Sequence, residues 1–405
     1  MGTNHLNPFI KTDQDFFNQE IARENTHCVK FDLRLQQFGC ANVSPLWVAD
    51  MDFACPPVVS AALMQRAAHP IYGYSLYPES LFTALTQWML HRHNWSIQRE
   101  SILMCPGVVP CLSAAILAFS NVGEGIIVQP PVYFPFFTAV THTQRKLIEN
   151  PLTIRDGRYQ IDFDHLEKCA IQGGKILLLS SPHNPVGRVW QLNELLEILR
   201  IARQYNLMIF SDEIHADLVY TPHQHIPLAT LAKPADRIIT AVAPSKTFNV
   251  AGLGLSSLII DKKSDRMVIQ KIFDDLHLSA RNPFSIAAFE AAYASGGEWK
   301  DALMIYLKET QDLVIEFIQK NLPGISAQPS EGTYLIWLDC RNLKLSDNEL
   351  AHFFCHEAGI GFNSGISFGT GGSGYMRMNL ASPRKVILEA LQKIQQAIQK
   401  LNIKS

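Results

Sequence analysis

Short apolar runs alternate with longer stretches in which apolar residues return every three or four positions. Residues 125–129, 175–180, 208–211, 238–243 and 256–260 are nearly unbroken apolar runs. That is the pattern of strands covered on both faces, as in a parallel sheet. Between two of them, residues 193–205 place Leu195, Leu196, Leu199 and Ala202 on one stripe, which predicts an amphipathic helix. Asn193 stands where a capping residue is wanted. Alternation of strand and helix predicts an α/β core with a mostly parallel central sheet. Past Ala291 the texture changes. Residues 299–322 form a long helical pattern, 333–339 a strand, and 384–401 a last amphipathic helix. Pro323-Gly324 and residues 369–374 break the pattern. The expected division is an N-terminal segment at 1–60 joining the small domain, a large domain at 61–290, and a small α+β domain at 291–405.

Composition narrows the partners. The chain has 405 residues, 47% hydrophobic and 18% charged, ample for a large core and more than one lobe. With 35 basic and 37 acidic residues the net charge is -2, which offers nothing to a nucleic acid. No apolar run reaches membrane-spanning length, so no membrane association is expected. Met1-Gly2-Thr3-Asn4-His5 has no signal-peptide character, and Leu6 occupies the position where myristoylation wants Ser or Thr. Eight cysteines form no Cys-x-x-Cys pair, which favours reduced thiols in a cytoplasmic protein. His91-Arg92-His93 and His223-Gln224-His225 carry alternate histidines without further ligands, so loop or surface roles outweigh a metal and none is expected. Gly369-Thr370-Gly371-Gly372-Ser373-Gly374 lacks the Gly-Lys-Ser/Thr ending of a phosphate loop and reads as a flexible loop beside a substrate.

Chemistry concentrates in four stretches. Ser181-Pro182-His183-Asn184-Pro185-Val186-Gly187, Ser211-Asp212-Glu213-Ile214-His215-Ala216-Asp217 and Ser245-Lys246 each follow or end a predicted strand. Ligands in open α/β sheets bind beyond the carboxyl ends of strands, so these three can converge. Gly374-Tyr375-Met376-Arg377-Met378-Asn379 is the distal fourth. Singly, each residue has an ordinary reading: Asp212 as a strand-end acid, Asn184 as a turn former before Pro185, Arg377 as a solvated or paired charge. Tyr133, in Tyr133-Phe134-Pro135-Phe136-Phe137, reads equally as core, and Trp47 as a buried ring. Gly107-Val108-Val109-Pro110 precedes an apolar helix at 111–119, whose start can bind an anion through free N–H groups.

As a set, the stretches resemble the fold-type I enzymes of pyridoxal 5′-phosphate (PLP), the aspartate aminotransferase superfamily. The carriers are Trp47-Val48-Ala49-Asp50-Met51-Asp52-Phe53, Tyr72-Gly73-Tyr74, Pro182 through Trp190, Asp212 through Asp217, and Pro244-Ser245-Lys246-Thr247-Phe248-Asn249. Within that superfamily they are most similar to the MalY/PatB-type cystathionine β-lyases. The resemblance implies the three-layer PLP-dependent transferase fold and a homodimer with shared active sites. Lys246 would hold the cofactor as a Schiff base and act as the catalytic base. Asp212 would face the pyridine nitrogen, Asn184 the phenolic oxygen and Tyr133 the ring face. Val108, Val109, Ser245 and the neighbouring subunit's Tyr72 would hold the phosphate, with Tyr72 also counted among the catalytic residues and His215 among those that bind the cofactor. Arg377 would clamp the substrate carboxylate, with Trp47 and Asn184 beside it. Two positions depart from the wider superfamily: His215 replaces a frequent tyrosine, and Gly254 replaces a frequent phosphate-binding arginine. The expected activity is β-elimination on L-cystathionine or L-cysteine, giving a thiol, pyruvate and ammonia. Transamination uses the same residues and remains the rival, and a regulatory protein partner the second alternative.

Overall fold

The computed structural model describes residues 14–404; residues 1–6, considered above for targeting, lie outside the described residues. Seven strands form the central sheet, in the order Ile102–Cys105, Ser256–Ile259, Ile238–Val242, Met208–Asp212, Gly174–Ser180, Gly125–Val128 and Lys146–Glu149. All five predicted strands are present, each with one end moved by a single residue. The sheet is parallel except at Ser256–Ile259, which runs antiparallel to both neighbours. Ile102–Cys105 and Lys146–Glu149 were not announced by the pattern. Each has four residues at an edge, and Lys-Leu-Ile-Glu is half charged.

Helices cover both faces because successive strand residues point to opposite sides. Ile126, Val128, Ile176 and Leu178 enter one core with Leu112 and Ile116; Ile127, Leu177 and Leu179 enter the other with Leu195 and Leu199. Each such fully buried side chain contributes about 1.5–3 kcal/mol. The helix expected at 193–205 spans Leu192–Tyr205, and Asn193 does not cap it. Glu194 does instead, accepting from the Gln191 N–H at 2.7 Å while its two oxygens bind Arg188 at 2.8 and 2.7 Å.

A four-stranded antiparallel sheet follows, in the order Ser326–Ala327, Leu335–Asp339, Tyr375–Asn379, Asn363–Ser364. Helices Gly297–Asn321 and Arg384–Lys404 pack on it around Ile336, Met376, Met378, Leu391 and Ile394. The strand expected from 333 starts at Leu335, because Thr333 adopts φ +71° and its hydroxyl accepts the Leu335 N–H at 3.1 Å. Ser44–Pro45 pairs in parallel with Ile360–Gly361. The glycine-rich stretch 369–374 is a packed turn rather than a flexible loop. Thr370 Oγ1 donates to Glu149 at 2.5 Å and Ser373 Oγ to Asp347 at 2.7 Å. Gly365 and Gly372 pass so closely that a β-carbon on either would overlap the other's carbonyl. Among the described residues no helix is long and apolar enough to cross a membrane.

Candidate active site

Where Gly174–Ser180, Met208–Asp212 and Ile238–Val242 end, the chain leaves a cavity of about 210 Å³. Asn184, Asp212, His215, Ser245, Lys246, Tyr133, Val108 and Val109 all line it. The last two open the helix Val108–Phe119, which begins three residues before the predicted start. The N–H groups of this first turn have no acceptor within the helix and face an anion favourably. Lys246 lies not at a strand end but in the short helix Pro244–Thr247 just after one. Gly254 also borders the cavity, in the left-handed region at φ +53°. Among the described residues, Lys246 is the cavity's only lysine and no arginine lines it. An anion at this end of the cavity would meet N–H groups and the Ser245 side chain.

Lys246 Nζ donates to the Ala49 carbonyl at 2.6 Å. Burial, reinforced by the charge of Arg377, lowers its pKa to about 8, against the pull of Asp50 and Asp212. A neutral amine, the nucleophilic form, is thus accessible near physiological pH. Burial raises Asp212 to about 7, opposed by the Ile214 N–H and by Lys246. Among the described residues this buried carboxylate has no salt bridge, so a cationic ligand group would be well placed beside it. Burial and the charges of Lys246 and Arg377 lower His215 to about 3, so its imidazole is neutral. Its Nδ1 is buried without a hydrogen-bond partner, an unmet capacity at the cavity wall.

Arg377 is buried at 2% exposure with no carboxylate paired to it among the described residues. Its Nη1 donates to Asn184 Oδ1 at 3.0 Å, and its Nη2 to the Trp47 carbonyl at 2.9 Å and Asn363 Oδ1 at 2.7 Å. Its Nε has no hydrogen-bond partner among the described residues. Burial lowers its pKa to about 10, still leaving it cationic at neutral pH. A buried guanidinium with a spare donor has the chemistry to receive a carboxylate. With Oδ1 accepting from Arg377, the amide N–H groups of Asn184 can be offered to a ligand. Trp47 contributes its carbonyl to Arg377, while its half-buried ring packs edge-on against Phe38 at 5.5 Å and donates to Lys30 O.

Three sequence candidates do not line the cavity: Arg377 and Trp47 stand behind Asn184, and Tyr72 makes no contact with it in its own chain. Tyr72 is 54% exposed, and its hydroxyl donates to Ala67 O at 2.8 Å. Sequence reasoning also passed over contributors. Tyr334 donates to the same Ala49 carbonyl as Lys246, at 2.8 Å. Asn249 and Asn379 hold the backbone of Val48, Asp50, Met51 and Phe53 through five hydrogen bonds of 2.6–3.1 Å. The only signal was Asn249 and Asn379 lying inside stretches already singled out.

Together, an anion-binding helix start, a reachable amine, a buried acid and an aromatic wall fit a phosphorylated pyridine aldehyde. A lowered lysine pKa has a direct consequence. The rate at which added PLP becomes attached, followed by visible absorbance, rises about tenfold per pH unit below about 8 and levels above it. An unperturbed lysine would keep the rate climbing past pH 10.

The family model for aminotransferase class I and II matches residues 42–394. The cystathionine beta-lyase PatB of Bacillus subtilis is 37% identical over 94% of this chain and 99% of its own length. Protein MalY of Escherichia coli is 31% identical, over 91% and 95% respectively. Cystalysin of Treponema denticola, whose crystal structure contains a pyridoxal 5′-phosphate cofactor, superposes with a TM-score of 0.92 at 39% identity, covering 95% of this chain and 99% of that one.

Proposed function

The chain belongs to the aminotransferase class I and II family, in the branch of PatB and MalY, and from that premise we propose that it is a PLP-dependent carbon–sulfur β-lyase. Its substrates are L-cystathionine and L-cysteine-type amino acids, and its products a thiol, pyruvate and ammonia. The observation that carries this reading is the meeting of Lys246 and Asp212 in one buried cavity, with Arg377 bonded to its wall at Asn184. When bound, the cofactor supplies an electron sink for the substrate's Cα–H bond pair.

The chain's own residues do the rest. Arg377 holds the substrate carboxylate and so fixes which Cα bond stands over the ring. Asn184 offers its N–H groups to the phenolic oxygen, and Tyr133 covers a ring face. Asp212 stabilises the proton on the ring nitrogen. Lys246 Nζ would hold the cofactor's aldehyde and, as the free amine, would take the substrate's Cα proton. As an ammonium it returns a proton to the departing sulfur.

We assign the region 61–290 to cofactor binding and 291–405 to a smaller domain that contributes Arg377. A second copy of the chain completes the site through Tyr72. Supporting this, Ile71, Tyr72, Tyr74 and Leu76 form an exposed apolar run from 54% to 111% exposure, more than an isolated chain ordinarily leaves in water. All eight cysteines are free, which supports residence in a reducing cytoplasm.

The test is pyruvate release from cystathionine by PLP-loaded protein with no keto acid present. Steady release is expected. Strict dependence on a keto-acid co-substrate, with none released in its absence, assigns transamination instead.

A further inference from the structure

Outside the cavity lining, one histidine from each of the two discounted pairs meets the other. His91 and His223 stay exposed, but His93 and His225 turn inward and meet edge to face, ring centroids 5.7 Å apart. Each is bound to a carboxylate from the stretch after Met208–Asp212. His93 Nε2 lies 2.7 Å from Asp217 Oδ1, and His225 Nε2 lies 2.8 Å from Glu213 Oε2. All four side chains are buried, at 6%, 7%, 2% and 1% exposure. They form two separate pairs; among the described residues no group of three or more His, Cys, Asp or Glu could hold a metal ion.

Asp217 has two more donors. Trp88 Nε1 reaches its Oδ1 at 2.9 Å, and Thr247 Oγ1 its Oδ2 at 2.8 Å. Burial opposes its charge, but the hydrogen bonds from His93, Thr247 and Trp88 win, and its pKa lies below the usual value. Three donors and no competing acceptor make a rigid anchor. Thr247 is itself fully buried and is the residue next to Lys246, on the same short helix. Glu213 adjoins Asp212 and is fixed by Ser211 Oγ at 2.8 Å and the Leu228 N–H at 3.1 Å. The six-residue stretch thus faces two ways. Asp212 and His215 line the cavity, and Glu213 and Asp217 grip residues outside its lining.

Resting on the lyase reading, we propose that Asp217, held by His93 and Trp88, is a positioning residue for Lys246. Its bond to Thr247 fixes the turn that carries the amine, and so sets the amine's place relative to Asp212. It touches neither substrate nor cofactor and moves no proton in the reaction.

Thr247→Val removes only this bond at nearly constant volume; Thr247→Ser keeps it. In cofactor-stripped Thr247→Val, uptake of added PLP, read by visible absorbance, slows about tenfold, the scale of one hydrogen bond to a charged group. In the reloaded protein kcat for pyruvate release falls by a similar factor while KM stays within about twofold, because Arg377 still binds the carboxylate. Thr247→Ser restores both, and Asp217→Asn reproduces the loss. Uptake and kcat unchanged in Thr247→Val, with only the melting temperature lowered, would reduce Asp217 to a structural role and overturn the proposal. Wild-type protein that takes up no PLP would instead undo the lyase reading itself.

Discussion

Lys246→Ala loses pyruvate release from cystathionine by about a thousandfold or more, the combined scale of a lost nucleophilic tether and a lost general base. The reason is specific to this amine. It is the only lysine on the cavity wall among the described residues, and burial brings its free-base form within reach at about pH 8. No neighbour can replace it, since His215 is held neutral with its pKa near 3 and has little basicity left. A second readout accompanies the rate. After borohydride reduction and gel filtration, wild-type protein keeps its cofactor covalently, and the variant keeps none. Covalent cofactor persisting in Lys246→Ala removes this lysine from the mechanism.

Asp212→Ala separates holding the cofactor from using it. The cofactor still attaches through Lys246, and the helix start at Val108 still binds its phosphate. Turnover falls by about a hundredfold to a thousandfold, since the ring nitrogen loses the group that keeps it protonated. Burial puts the Asp212 carboxyl at about 7 in the cofactor-free chain, so it meets a cationic partner with little competition from solvent. The expected pattern is retained visible absorbance with most activity gone. A near-normal rate refutes the electronic role.

Much of the site was legible in the sequence because side-chain chemistry has residue signatures. Lysine, aspartate and asparagine at the ends of apolar runs could be named, and the topology brought Lys246, Asp212 and Asn184 to one cavity. Contacts made by backbone were not legible. The Ala49 carbonyl that receives Lys246 is 197 residues away along the chain, and an alanine advertises nothing. Tyr334 meets that same carbonyl across 285 residues. The histidines show the same limit from the other side. Identical spacing put His91 and His223 in water and His93 and His225 into a buried junction, and only packing separates those outcomes.

The apolar rhythm alone determined five of the seven central strands, the α/β class and the long C-terminal helices, because burial on two faces leaves a period that survives without coordinates. Tertiary structure decided strand direction at Ser256–Ile259, the true cap at Glu194 and the packed glycine turn. It also decided which charges lie out of water, and with them the protonation of Lys246, Asp212 and His215. Desolvation depends on what surrounds a group in space, and most of those neighbours are distant in the chain.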